Sequence, residues 1–487
     1  MLAICIKFGV TFFAVLCWLL SCETIYRLYE SVGPCSPCEN RIFEHSLRNC
    51  CNLPSFPQST SSFIVDTEGA MAPLLQNRNF DLNEPSSNFR AVWSSPSDYA
   101  FTILLLIGGN VVSRALAQLA GGRLTPVAFS FGWVSYATGA INSAVGENKL
   151  MPPSDTPCTV INVDNRQSRG NGSWVLGRTM RDYEYWMGPP VREKVAEVKN
   201  NKFQYDVDQA KKLGKDPDGV EYPAHAGLVV SFWKFDSDKR DQLQKPGRDL
   251  LFWSGIATAV LQLGIAAIPF GIYGNWGVFL VTAGAIMLCF TTGFWKQWGR
   301  EKWACRQIPP GKKRTYILTR GNGAQHAIVI ECDGFGLNLE DLCTGFDNLD
   351  EPAIPVSTRF AMIILGILWV ALLITSSALK DQSWFLIAVG GIGMLQNIFV
   401  AAWSRRPEAL GLPLKFQNVV GSPKVFTTIT ESEKAYPKVG RALLGTFFPG
   451  GIRPNEEEQL AAIEAEAKEK KRVEKETTNN GVKDADV

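Results

Sequence analysis

The sequence predicts a polytopic α-helical membrane protein with six core transmembrane helices in three hairpins and a small α+β cytosolic module built from discontinuous loops. Six apolar stretches fall in three close pairs: Tyr99 to Leu119 with Pro126 to Val145, Leu250 to Phe270 with Trp276 to Trp295, and Phe360 to Leu379 with Trp384 to Trp403. Each is about 20 residues, which at about 1.5 Å per residue crosses a hydrocarbon layer of about 30 Å. Connections within a pair are short and those between pairs are long and polar, so the bulky hydrophilic segments share one side. Lys and Arg near the span ends give that side its identity. Fourteen, from Arg90 and Lys149 through Lys296 and Arg300 to Arg405, Arg406 and Lys415, flank the long segments, against Arg123 and Lys380 on the short turns. Positive residues are retained in the cytosol, so 146–249, 296–359 and 404–487 are expected there.

Averages conceal this division. The formal charge is +2 and the mean hydropathy −0.01, as in an ordinary globular chain, because apolar spans and charged segments cancel. Near-neutral charge without a clustered basic face argues against a nucleic-acid partner. The lipid bilayer is the expected partner, with cytosolic proteins a second possibility.

Residues 1–98 form an N-terminal region whose stretch 4–20 is apolar except for Lys7. It reads as a signal peptide, a signal anchor or a seventh span, and a start at Met71 is the simpler alternative. A cleaved signal would export 23–98, in conflict with a cytosolic start at Tyr99. Cys35, Cys38, Cys50 and Cys51 fit disulfides in an exported segment, or a zinc site completed by His45, or unstructured chain. No other metal-ligand set is apparent, and no cofactor is expected.

The first hairpin, 99–145, contains the only ionisable residue inside a span. Arg114 has Asn110 on its own helix and Asn142 and Ser143 on the paired one, which makes these four a candidate intramembrane polar site for an anion. The blander reading is a guanidinium that snorkels to the headgroups. Ser135, Gly139 and Ser143, with Gly132, Ala140 and Ala144, form small-residue stripes suited to close helix packing. In the hairpins 250–295 and 360–403, Trp276 and Trp295, then Trp384 and Trp403, bracket spans at equal spacing and read as interfacial belts. Gln396 and Asn397 in the last span are expected to bond across helices.

The cytosolic segments have their own signals. Thr315 to Arg320, the turn Gly321-Asn322-Gly323 and Ala327 to Ile330 read as a β-hairpin. Thr159 to Val163 and Leu228 to Phe235 are strand candidates. Trp174 to Trp186, Val191 to Lys199 and Leu337 to Leu342 are helix candidates, so three separate segments are expected to share one core. In the tail, Asn455 caps a charged helix over 455–476 with acids first and bases last.

The runs Trp174-Val175-Leu176-Gly177-Arg178 with Arg181-Asp182, Leu318 to Gly323 with His326, Leu337 to Leu342, and Pro437-Lys438-Val439-Gly440 to Phe447-Phe448-Pro449-Gly450 resemble motifs of uncharacterised multi-pass membrane proteins of filamentous fungi. The likeness covers about residues 90–455. It implies a membrane location and brings no catalytic or binding residue.

Enzyme signatures are missing: no HExxH, no GxSxG and no Walker lysine loop occurs. A non-enzymatic membrane scaffold presenting a cytosolic module is therefore expected. The alternative is a transporter or channel for a neutral or anionic solute with Arg114 near its path.

Overall fold

The computed structural model describes residues 97–147, 149–345, 354–379 and 381–466. The stretch 4–20, the cysteines Cys35 to Cys51, His45, Lys380 and the end of the tail helix lie outside the described residues.

Three helices are long and apolar enough to cross a membrane: α5 (Leu250–Tyr273), α9 (Val356–Ser377) and α10 (Ser383–Ala402). A fourth candidate is the pair α6 (Gly277–Gly293) and α7 (Lys296–Lys302), bent by 42° at the residues between them. Two further helices pack with them, α1 (Ser97–Leu119) and α2 (Gly132–Asn142), the latter continued by a π-turn over Ser143–Glu147. Boundaries follow local chemistry. Asp249 caps α5 by accepting the Phe252 amide, and Gly274 ends it in the left-handed conformation that glycine adopts without strain.

The expected span over 126–145 is not one helix. Residues 124–130 have no regular secondary structure, and α2 covers 11 residues. Yet Val127, Ala128, Phe129 and Phe131 are all buried. Pro126 has no amide to continue a helix, and the Ala128 amide and the Ala128 and Phe129 carbonyls bond side chains of other helices instead.

The second layer is a six-stranded sheet in the order β2-β1-β4-β5-β3-β6. Its strands are β1 (Thr159–Asn162), β2 (Ser168–Gly170), β3 (Leu228–Phe235), β4 (Lys313–Thr319), β5 (His326–Asp333) and β6 (Leu414–Ser422). β4 and β5 form the expected antiparallel hairpin, Tyr316 facing Ile330. β3 pairs parallel with β5, and β6 closes the other edge of β3 antiparallel. The shared core thus draws on all three segments, 146–249, 296–359 and 404–487, the tail contributing β6, a strand the sequence did not disclose.

Both faces are covered. Tyr316, Leu318, Ile328 and Ile330 pack with Val175, Leu176 and Val191 from α3 (Trp174–Arg181) and α4 (Gly188–Lys212), and with Leu339 and Leu342 from α8 (Leu339–Thr344). The alternate residues Ile317, Ala327 and Val329 meet Ile429 and Leu443 of α11 (Val425–Ala435) and α12 (Val439–Phe447). Burial on both faces explains why β3, apart from Ser231 and Lys234, and the 327–330 stretch of β5 read as apolar runs. The tail helix over 454–466 is not fully solvated: Leu460 is buried, and Arg441 bonds Glu464 at 2.8 Å.

Candidate functional site at the helix break and the helix–sheet junction

None of the four residues expected to form an intramembrane site is buried. Asn110, Arg114 and Asn142 are exposed and Ser143 is half-buried. No hydrogen bond among the described residues joins Arg114 to Asn142 or Ser143. The seam between α1 and α2 is made instead by Gly108 against Gly132 and Gly109 against Ser135, where a methyl group on either Gly108 or Gly132 would strike the other helix's backbone. Close approach through small residues was legible in the sequence, although Gly139 of the predicted stripe faces open space.

The polar groups that do converge lie at the helix break. Asn397 of α10 donates from Nδ2 to the Ala128 carbonyl at 3.0 Å and accepts the Ala128 amide on Oδ1 at 3.1 Å. Gln262 of α5 donates from Nε2 to the carbonyls of Phe129 and Val389 at 2.7 and 2.8 Å. Trp133 Nε1 reaches the Ala128 carbonyl at 2.9 Å, and the Thr125 hydroxyl reaches the Gly293 carbonyl at 2.9 Å. Gly393 lets Phe129 approach, since a Cβ there would overlap the Phe129 carbonyl. Gln262 is the lone amide within α5, and Gln396, as expected, also bonds across helices, to Ser254 at 2.7 Å.

A second cluster joins the helices to the sheet. Lys302 is buried and its Nζ donates to the carbonyls of Ala117, Gln118 and Ala120 at 2.9, 3.2 and 2.8 Å, at the C-terminal end of α1. Arg405 adds Nη1 to the Gln118 carbonyl at 2.7 Å and pairs through Nε with Asp249 at 2.8 Å. Arg178 and Arg181 of α3 donate to the carbonyls of Ala401, Ala402 and Trp403 at the end of α10. Cations at C-terminal helix ends complement the negative pole of the macrodipole, each contributing about 0.3–1 kcal/mol and up to ~2 kcal/mol when partly buried. Burial, reinforced by neighbouring Arg181, brings the Arg178 guanidinium down to about 10, against the pull of Asp155 and Asp182. Burial likewise lowers Arg405, opposed by Asp249.

The belt tryptophans differ by end. Trp276 and Trp384, at the turns away from the sheet, are 62% and 46% exposed. Trp295 and Trp403, at the sheet end, are half-buried. Trp295 Nε1 donates to the Thr358 hydroxyl at 3.1 Å, and Trp403 lies 4.8 Å from the Phe399 ring. Among the described residues no group of three or more His, Cys, Asp or Glu side chains is placed to hold a metal ion. Most buried donors at the junction end on main-chain carbonyls or counter-charges, and Arg178 Nε is paired with Asp155 at 3.1 Å while its Nη1 has no hydrogen-bond partner among the described residues.

No family model, no curated protein and no solved structure matches this chain.

Proposed function

We propose that the protein is a membrane scaffold whose spans carry a cytosolic α+β module fixed rigidly to their inner ends, with 146–249, 296–359 and 404–487 in the cytosol. Three apolar helices of spanning length support the membrane setting, and the Lys and Arg distribution supports the orientation. The resemblance to multi-pass membrane proteins of filamentous fungi agrees with the setting.

The observation that carries the scaffold reading is the junction. Lys302, Arg405, Arg178 and Arg181 each donate to one or more of the last carbonyls of α1 or α10. Three of them are almost wholly buried. A transport pathway needs polar groups that exchange partners with a solute, whereas each of these four cations donates to main-chain carbonyls within the fold.

A second reading, a transporter or channel for a neutral or anionic solute, is favoured by the helix break. Non-helical backbone within a membrane occurs where protein or a water-lined cavity satisfies it. Flux measurements on the full chain in sealed vesicles separate the two. The scaffold reading expects anion and neutral-solute leakage equal to that of empty vesicles, whereas a saturable, protein-dependent flux overturns it in favour of transport.

A further inference from the structure

The helix break has a direction, and it changes how the first hairpin meets the bilayer. We infer that residues 125–147 form a re-entrant hairpin that enters and leaves on the cytosolic side, and that α1 therefore crosses in the sense opposite to the one its position in a six-span hairpin requires. The inference rests on the membrane setting proposed above.

One end of the apolar helices faces the sheet. Asp249, just before α5, and Arg405, just after α10, are ion-paired there, and α7 leads into β4. The other end consists of the two short turns, where a Cβ on Gly277 would meet Leu379 at 2.6 Å. Positions along the helices then serve as a depth scale.

The chain after α1 starts at the sheet end, with Thr125 bonded to Gly293 at the end of α6. Ala128 meets Asn397, five residues from the end of α10, or about 8 Å in at helical rise. Phe129 then meets Gln262, twelve residues into α5, or about 18 Å in, and the Phe131 ring packs on Gly390 at a similar depth. This is the middle of a layer of about 30 Å.

There the chain reverses. Trp133 stacks on Trp369 with ring centroids 5.4 Å apart, thirteen residues into α9, whereas Ile141 contacts Gly366, nearer the start of α9. After the π-turn, the Leu150 and Met151 amides both donate to Glu301 in α7, at 2.6 Å. An extended limb thus goes in and a helical limb comes out at the same end.

α1 confirms the polarity independently. Its C-terminal carbonyls lie on Lys302 and Arg405 at the sheet end, and Gly108 meets the reversal at Gly132. Its first residue, Ser97, is 22 residues before Leu119, or about 33 Å away at helical rise, so it stands at the far end. The described residues therefore cross five times, counting α1 and the bent α6–α7 pair. The conflict between an exported 23–98 segment and a cytosolic Tyr99 disappears.

Arg123 decides between the two topologies, because the six-span hairpin puts it outside and the re-entrant hairpin puts it in the cytosol. Single cysteines replace Arg123, Lys312 and Asp381, all exposed, in the full chain. Each is treated in sealed vesicles with a membrane-impermeant maleimide, before and after permeabilisation, and read by site-resolved mass spectrometry. The R123C thiol is expected to follow K312C and to oppose D381C. Should R123C disturb folding, L124C, at a position 40% exposed, takes its place. Labelling of R123C or L124C in step with D381C overturns the re-entrant hairpin while leaving the membrane setting intact. Identical labelling of all sites regardless of permeabilisation removes the membrane setting, and this inference with it.

Discussion

The Asn397 carboxamide and the main chain of Ala128 exchange two hydrogen bonds, although 269 residues separate them in the sequence. The pair imitates one rung of an antiparallel ladder, with a side chain in place of the second strand. The buried amide and carbonyl of Ala128, which would otherwise lie unsatisfied among the helices, thereby gain a partner.

Replacement of Asn397 by Leu tests this rung. The Ala128 amide loses its partner while the carbonyl keeps Trp133, so the expected loss of stability is about 1–3 kcal/mol. Thermal unfolding in detergent measures it, with Gln396→Leu as a milder comparison because its partner Ser254 is half-buried. Equal melting of Asn397→Leu and the parent protein would count against the rung.

Gly393 and Gly391 form a matched pair. Gly393→Ala drives a methyl into the Phe129 carbonyl and is expected to cost about 1–3 kcal/mol through overpacking. Gly391→Ala meets nothing within 4 Å and gains helix propensity, so it is expected to be neutral or slightly stabilising. The order of the two melting temperatures is the readout, and a reversed order contradicts the packing described.

The segment 146–249 is expected not to fold alone. It carries β1, β2 and β3, but β1 pairs with β4, and β3 lies between β5 and β6. Expressed separately, it leaves the edges of a buried strand open and should aggregate or give poor amide dispersion by NMR. A dispersed spectrum with a cooperative melt would show that the sheet does not need its later strands.

His326 makes stability sensitive to acid. Burial lowers it from 6.5 to about 4, with Arg320, Lys199 and His225 acting in the same direction and Glu184 opposing. The unfolded chain therefore takes up the proton first. The stabilisation is fully present above about pH 6.5 and is lost as pH falls toward 4. A His326→Asn variant should show a shallower decline of melting temperature between pH 7 and pH 4.5, where tests are run with about 0.5-unit steps. Parallel curves for variant and parent would remove His326 as the cause.

The runs around Trp174, Leu337 and Pro437 have structural roles. Arg178 and Arg181 in the Trp174 motif cap α10, Asn338 caps α8 by accepting the Glu340 and Asp341 amides, and Gly440 lies against the Ile429 carbonyl.

The sequence by itself determined the local elements: the apolar helices α5, α9 and α10, the β4–β5 hairpin from its Asn-Gly turn, β3, and the small residues that let α1 and α2 touch. Those features depend on period, length and turn residues within a short window. What surrounds the break needed the tertiary structure. Pro126 to Val145 has the composition of a span, and Asn397, Gln262 and Gly393, brought from distant helices, receive its first residues in a non-helical form. β6 was hidden for the same reason, since Leu414–Ser422 is a half-exposed edge whose pairing is decided by β3. The charges followed the same division. Arg114 drew notice as the single ionisable residue in an apolar run, whereas Lys302 and Arg405 looked like ordinary flanking cations until the fold set the carbonyl ends of α1 against them.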